Sequence, residues 1–250
     1  MREDLSRDDV VAAVDRFVED LLATAELTKP PVDAIQLAQK HLGIVVCREE
    51  QQRQRGRGQR AGGQRQVYLR PESTEERHQW TVAHAVGEHF KPQVLQALGV
   101  APTDTRPVMG ESLANLFANR FLVPACWFGA DAREFDHDLL QLKDRYRTAS
   151  HEVIALRLLD LSEPCIITII DNDHIHRRRS NAWPVRRRLE PIEQQCQRYV
   201  HHYSRPHTLR EDGWSVWGWP VHLSDWKREI LRSVVDEDAW AAAAGADEAD

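Results

Sequence analysis

The sequence has no long apolar run. Its longest stretches, such as Cys165 to Ile170, fall far short of the ~20 apolar residues a membrane-spanning helix needs, so no span is expected. The opening MREDLSRDD carries acids and no hydrophobic stretch, so no secretory signal is expected there. Cysteine is scarce and scattered. Cys47, Cys126, Cys165 and Cys196 form no CxxC pair, which argues against a disulfide-stapled secreted fold and against a cysteine zinc site. A reducing cytoplasm is the expected compartment. A strong charge bias is also missing. The net charge of −6 speaks against a protein covered by a nucleic-acid-binding surface, although a local basic patch stays open. There is no internal repeat.

What is present suits a folded chain. Hydrophobic residues make up 42% and charged residues 29% of the 250 residues, near the globular average and compatible with one large domain or one domain plus a smaller partner. Val10 to Leu22 repeats apolar residues at helical spacing. Lys29-Pro30-Pro31 breaks that pattern. A second helix is predicted over roughly 32–42, with Gly43 at the capping position and a short strand over 44–47. The Arg-, Gln- and Gly-rich stretch 49–65 reads as a flexible loop or a hairpin tip, with a returning strand over 66–69. Ser73 and Glu76 stand at capping-box spacing before a helix ending near Lys91-Pro92. Further helices are predicted over 110–122, twice within 135–161 with a break near 148–150, and over 226–235. Cys165 to Ile170 and His174 to Arg177 read as a hairpin around Asp171-Asn172-Asp173.

The chemistry concentrates in WTVAHAVGEHF, residues 80–90. At about 100° per residue, His84 and Glu88 stand about 40° apart on one helix face and can reach one ion. His89 points about 140° away from His84 and can share that ion only if the helix bulges locally. A third ligand has to come from another element, and Glu111, at the start of ESLANLFANRFLVP, is the obvious source.

Together these two segments resemble the paired signature of the ImmA/IrrE metallo-endopeptidases. The resemblance spans roughly residues 8 to 162. It implies an α+β, zincin-like core with a small sheet packed on several helices, followed by a helix-turn-helix-like segment and a C-terminal extension. The corresponding divisions are 1–130 for the core, 131–162 for the helical segment, 163–240 for a hairpin and Trp/Arg-rich region, and 241–250 for a flexible tail. It also implies a divalent cofactor, zinc first, with His84 as the first ligand, Glu88 where the family has its second histidine, and Glu111 as the acidic third ligand. His89 is the alternative ligand, and Glu88 would then be free as a displaced base. One imidazole and two carboxylates make a harder site, more tolerant of manganese or magnesium. Ala85 stands where the family carries its general-base glutamate, and losing such a base costs about a hundredfold to ten-thousandfold in rate.

Two functions from different classes follow. One is a metal-dependent peptidase that cuts a specific partner protein, such as a helix-turn-helix repressor. The other is an inactive scaffold of the same fold that binds a protein or DNA. Asp171 to His176 resembles a second metal cluster but reads as a polar turn. Arg177 to Arg179 and Arg186 to Arg188 lie near Trp183, Trp214, Trp217 and Trp219. They could stack on nucleic acid, but tryptophans in a small α+β domain more often anchor a core. Ser150 to Leu161 carries two acids on its face, so it reads as a structural cap on the metal-site helices rather than a DNA-reading helix.

Overall fold

A computed structural model describes residues 6–48, 56–61, 64–71, 74–100, 113–223 and 225–240. Two compact units divide it: Met1–Asp136 with Gln141–Ser150, and His137–Leu140 with His151–Asp250.

The first unit is mostly helical. α1 (Arg7–Thr24) starts with a capping box. The Ser6 hydroxyl accepts from the Asp9 amide at 3.1 Å, and the Asp9 carboxylate accepts from the Ser6 amide at 3.0 Å. These bonds hold the Asp9 carboxyl below its ordinary range. α1 buries Val10, Ala13, Val14, Val18 and Leu22 on one face. α2 (Ala34–His41) starts at Asp33 and leaves through Gly43 at φ +62, a left-handed turn that glycine adopts freely. A three-stranded sheet follows, built from β1 (Val45–Arg48), β2 (Gly56–Ala61) and β3 (Gln64–Leu69) in the order β1-β3-β2. The Arg/Gln/Gly-rich stretch is not the tip of a hairpin joining the strands expected at 44–47 and 66–69: β1 and β3 pair in parallel, and residues 56–61 of the stretch form a strand of their own, β2, antiparallel to β3.

α3 (Glu75–Ala97) is capped by Thr74, whose side chain accepts from the Arg77 amide. Ser73 lies outside the described residues. The helix continues five residues past Pro92, beyond its expected end near Lys91-Pro92. Proline removes one amide donor but does not forbid the next turn, and Val94 there is 1% exposed, so burial outweighs the lost bond. α4 (Leu113–Leu122) and α5 (Ala125–Glu134) follow, and α6 (Leu139–Arg145) crosses the division between the units. Two buried polar ties brace the helices. Arg120 of α4 donates twice to Asp15 of α1, at 2.6 and 2.8 Å. Gln79 of α3 accepts from the Ala34 amide and donates to Asp33.

The second unit comprises α7 (His151–Arg157), α8 (Pro191–Tyr203) and a five-stranded antiparallel sheet. Its strands are β4 (Ile166–Asp171), β5 (His174–Ser180), β6 (His207–Glu211), β7 (Trp214–Pro220) and β8 (Arg228–Val235), in the order β5-β4-β8-β7-β6. The β4–β5 hairpin is as expected, with Asn172 and Asp173 at φ +46 and +65 in its turn. The helix expected over 226–235 is instead β8. That segment is buried almost without interruption at the middle of the sheet, so the alternation that marks a half-buried strand is absent. α8, which the sequence reading did not foresee, lays Ile192, Cys196 and Val200 on a core of Ile166, Ile170, Val216, Leu231 and Val235. It comes so close to β7 that a Cβ on Gly218 would lie 2.8 Å from Val200.

The tryptophans behave as core anchors. Trp214 and Trp219 are buried, Trp183 stacks on Trp240 with ring centroids 5.2 Å apart, and Trp217 lies under the guanidinium of Arg232 at 5.0 Å. Buried Arg178 is matched by fully buried Glu193, with two bonds of 2.9 Å. Glu193 also accepts from the Ser233 hydroxyl and the Glu190 amide.

Candidate functional site

His84 lies on α3, and its position is set by the antiparallel seam between α3 and α4. Three points match along that seam. Trp80 donates its indole N–H to the Asn119 side-chain oxygen at 2.9 Å. His84 donates from Nδ1 to the Asn115 side-chain oxygen at 2.8 Å. Gly87 then meets Ala114 and Phe117 so closely that a Cβ there would lie 2.9 Å from the Ala114 Cα. A smaller residue than alanine is therefore required at 87 for the helices to approach this near.

The Asn115 bond has a chemical consequence. An amide oxygen only accepts, so Nδ1 carries the proton and Nε2 keeps its lone pair. Trp80 stacks on the imidazole, with ring centroids 5.3 Å apart and planes 27° apart, which limits its rotation. The ring is thus oriented and tautomerically fixed in the manner typical of a ligating histidine.

The other expected site residues are placed as follows. Glu88, one turn after His84, lies 3.9 Å from the Lys91 ammonium, and both side chains are 42% exposed. His89 sits on a regular α-helix and packs edge-on against Phe90, with centroids 4.8 Å apart. Ala85 offers no titratable group, and its carbonyl accepts from the Arg65 guanidinium at 3.5 Å. Glu111 lies outside the described residues. Among the described residues, His84 and Glu88 gain no third His, Cys, Asp or Glu within reach of a common ion, so a site there needs a further ligand such as Glu111.

A group that does converge lies in the second unit. Asp173, His201 and Glu229 bring their ligating atoms within 4.8 Å of one another. Sequence reading missed it because it treated Asp173 as part of a local turn, assigned no element to His201 and put Glu229 on a helix. Asp173 does sit in that turn, and the turn delivers it to the two other residues. The available signals were Pro191 and the Glu190/Glu193 capping pair, which announce the helix carrying His201.

Residues 39–159 match the family model Peptidase_M78, described as the IrrE N-terminal-like domain. No curated protein matches the chain. Among solved structures, a Mycobacterium tuberculosis transcriptional regulator is similar over 91% of this chain and 80% of its own, at 15% identity and a TM-score of 0.64. At that identity the likeness is one of fold.

Proposed function

We propose, on the premise that residues 39–159 belong to the Peptidase_M78 family of IrrE N-terminal-like domains, that this chain is a regulatory protein that has kept the peptidase seam as a recognition scaffold and lost peptide-bond turnover. The observation that carries this reading is the contrast between an oriented His84 and the methyl group of Ala85 beside it. In this family's chemistry a carboxylate takes a proton from water and passes it to the leaving amine, and alanine can do neither. Glu88 is turned along the helix towards Lys91, which leaves it poorly placed to substitute.

Under this reading His84, Glu88 and Glu111 would hold a divalent ion, zinc or else manganese or magnesium. That ion would polarise a bound carbonyl or water. The residues actually described hold and orient an imidazole lone pair and supply no proton shuttle. Free cysteines throughout suit a reducing compartment such as the cytoplasm. No helix among the described residues is long and apolar enough to cross a membrane.

The test is incubation of the zinc- or manganese-loaded protein with a co-expressed helix-turn-helix repressor. The expected result is an intact repressor that co-purifies with the chain, unchanged by Ala85→Glu. Cleavage by the wild-type chain, abolished by His84→Ala, would overturn the proposal in favour of regulatory proteolysis.

One observation favours a DNA-contacting role as a second reading. A groove of about 320 Å³ on edge strand β5 is lined by Arg177, Arg179, Arg186 and Arg187, a cluster of the cations that contact phosphates. Retention on DNA that falls steeply with salt and is weakened by Arg179→Ala with Arg186→Ala would support it.

A further inference from the structure

We propose that the second unit holds a divalent transition-metal site of its own, formed by Asp173, His201 and Glu229 with His222 bonded to Glu229 beside it, independent of the α3–α4 seam. Four separate segments deliver these residues: the β4–β5 turn, the last turn of α8, the connection between β7 and β8, and the start of β8.

Glu229 is the centre of the arrangement. Its side chain is fully buried, and a buried carboxylate is costly unless positive charge or strong donors offset it. The side chains seen to bond its oxygens are those of Gln197, His201 and His222. Two imidazole nitrogens converge on a single oxygen, His201 Nδ1 at 3.0 Å and His222 Nε2 at 2.9 Å from Oε1. The same His201 nitrogen lies 3.4 Å from Asp173 Oδ1. One ring nitrogen thus faces two carboxylate oxygens, more acceptors than a single N–H can serve well.

A cation at that focus satisfies the Asp173, His201 and Glu229 atoms together. Ligands about 2.0–2.1 Å from a tetrahedral ion lie about 3.3–3.4 Å from each other. The His201–Asp173 separation already has this value, and the His201 contact to Oε1 needs to open by only about 0.4 Å.

The surroundings behave as the outer shell of such a site. Ser204 Oγ lies 3.0 Å from His222 Nδ1 and steadies the ring whose Nε2 meets Glu229, as an outer-shell partner orients a ligating carboxylate. The Gln197 amide donates to Asp173 Oδ1 at 2.9 Å, and more weakly to Glu229 Oε2 at 3.5 Å, bridging the two carboxylates. Reciprocal bonds between Asn172 and Lys227 pin the turn that carries Asp173 to the start of β8. Exposure falls from 65% at Asp173 to zero at Glu229, so an ion has an entry path from the Asp173 side. One imidazole and two carboxylates suit zinc or a neighbouring first-row ion such as manganese, and the imidazole sets the site apart from the all-oxygen sites that calcium prefers.

The experiment is a zinc and cobalt titration of the full chain carrying His84→Ala, which removes any contribution from the α3 histidine. Elemental analysis and the visible spectrum of the cobalt form are read together. The expected result is one ion per chain with the spectrum of a four-coordinate N/O site. Asp173→Asn and His201→Gln should each weaken binding by more than about 100-fold, beyond what loss of an outer-shell partner costs. Asp173→Asn alters one exposed oxygen in a turn that asparagine also adopts, so it tests ligation without disturbing the core. A His84→Ala chain that takes up no ion, or that binds equally well with both further substitutions, overturns the proposal.

Discussion

The two units place ligating side chains in opposite ways. In the first, helical spacing puts His84 and Glu88 on successive turns of one helix, visible from the sequence alone, and Glu88 meets Lys91. In the second, no motif announces Asp173, His201 and Glu229, yet the sheet and α8 bring them to one point. A motif shows which residues a helix can align. Only the topology shows which residues the fold gathers.

The units also differ in what makes each one hold together, and this difference can be broken experimentally. The largest effect is expected in the second unit. Glu193→Gln leaves the buried Arg178 guanidinium without its carboxylate and should cost about 3–5 kcal/mol in urea unfolding, followed through exposure of Cys196. A loss below about 1 kcal/mol would show that packing alone holds that core. The next comparison sets two glycines against each other. Gly87→Ala drives a methyl into the Ala114 backbone and should cost about 2–3 kcal/mol despite alanine's better helix propensity. Gly218→Ala meets only the side chains of Val200, Cys196 and Leu231, which can shift, and should cost about 1 kcal/mol. Equal midpoints for the two variants would mean that the helix seam yields as readily as the helix–sheet contact.

Thiol labelling sharpens the same contrast. Cys126 of the first unit is exposed, while Cys165 and Cys196 of the second are buried. Burial, reinforced by the nearby Glu193 charge, pushes the Cys196 thiol up to about 12. Partial burial and the nearby Glu19 charge raise the Cys126 thiol too, but it is exposed, so it should react with a neutral-pH thiol reagent before Cys165 and Cys196, which react only on unfolding, read by mass spectrometry of the labelled peptides. The smallest effect is expected at Glu76 in the first turn of α3. Partial burial raises its carboxyl. The bond from its own backbone amide and the Lys143 ammonium at 3.0 Å together outweigh that and hold it below the ordinary 4.5. A lowered folded value means that the stabilisation is present above the ordinary value and lost as pH falls through the folded one. The stabilities of wild type and Glu76→Gln should therefore differ slightly at neutral pH and converge in acid, measured by denaturant unfolding.

Legibility in the sequence followed how local each signal was. α1 and α2 were readable because their apolar spacing, and for α2 the Gly43 cap, lie within a dozen residues, while the Ser6 cap that starts α1 three residues earlier went unread. The β4–β5 turn was readable because Asp and Asn tolerate its left-handed backbone. β8 was misread because a strand buried on both faces keeps no period-two alternation, and REILRSVV contains good helix formers. α8 was missed because Ile192, Cys196 and Val200 form a narrow apolar stripe within a polar sequence. The orientation of His84 was half legible. The helix face followed from spacing, but the Asn115 bond that fixes its tautomer depends on a close approach set by Gly87.

The central place of β8 has a consequence for how this chain is made. β4 and β7 both hydrogen-bond to it, so on a ribosome neither can complete its pairing until residue 235 has emerged from the exit tunnel. Until then the two earlier hairpins carry open edges, which are sticky towards other chains. Pauses in synthesis between the codons for residues 171 and 228 are thus the interval in which a nascent chain of this protein is most exposed to misassembly.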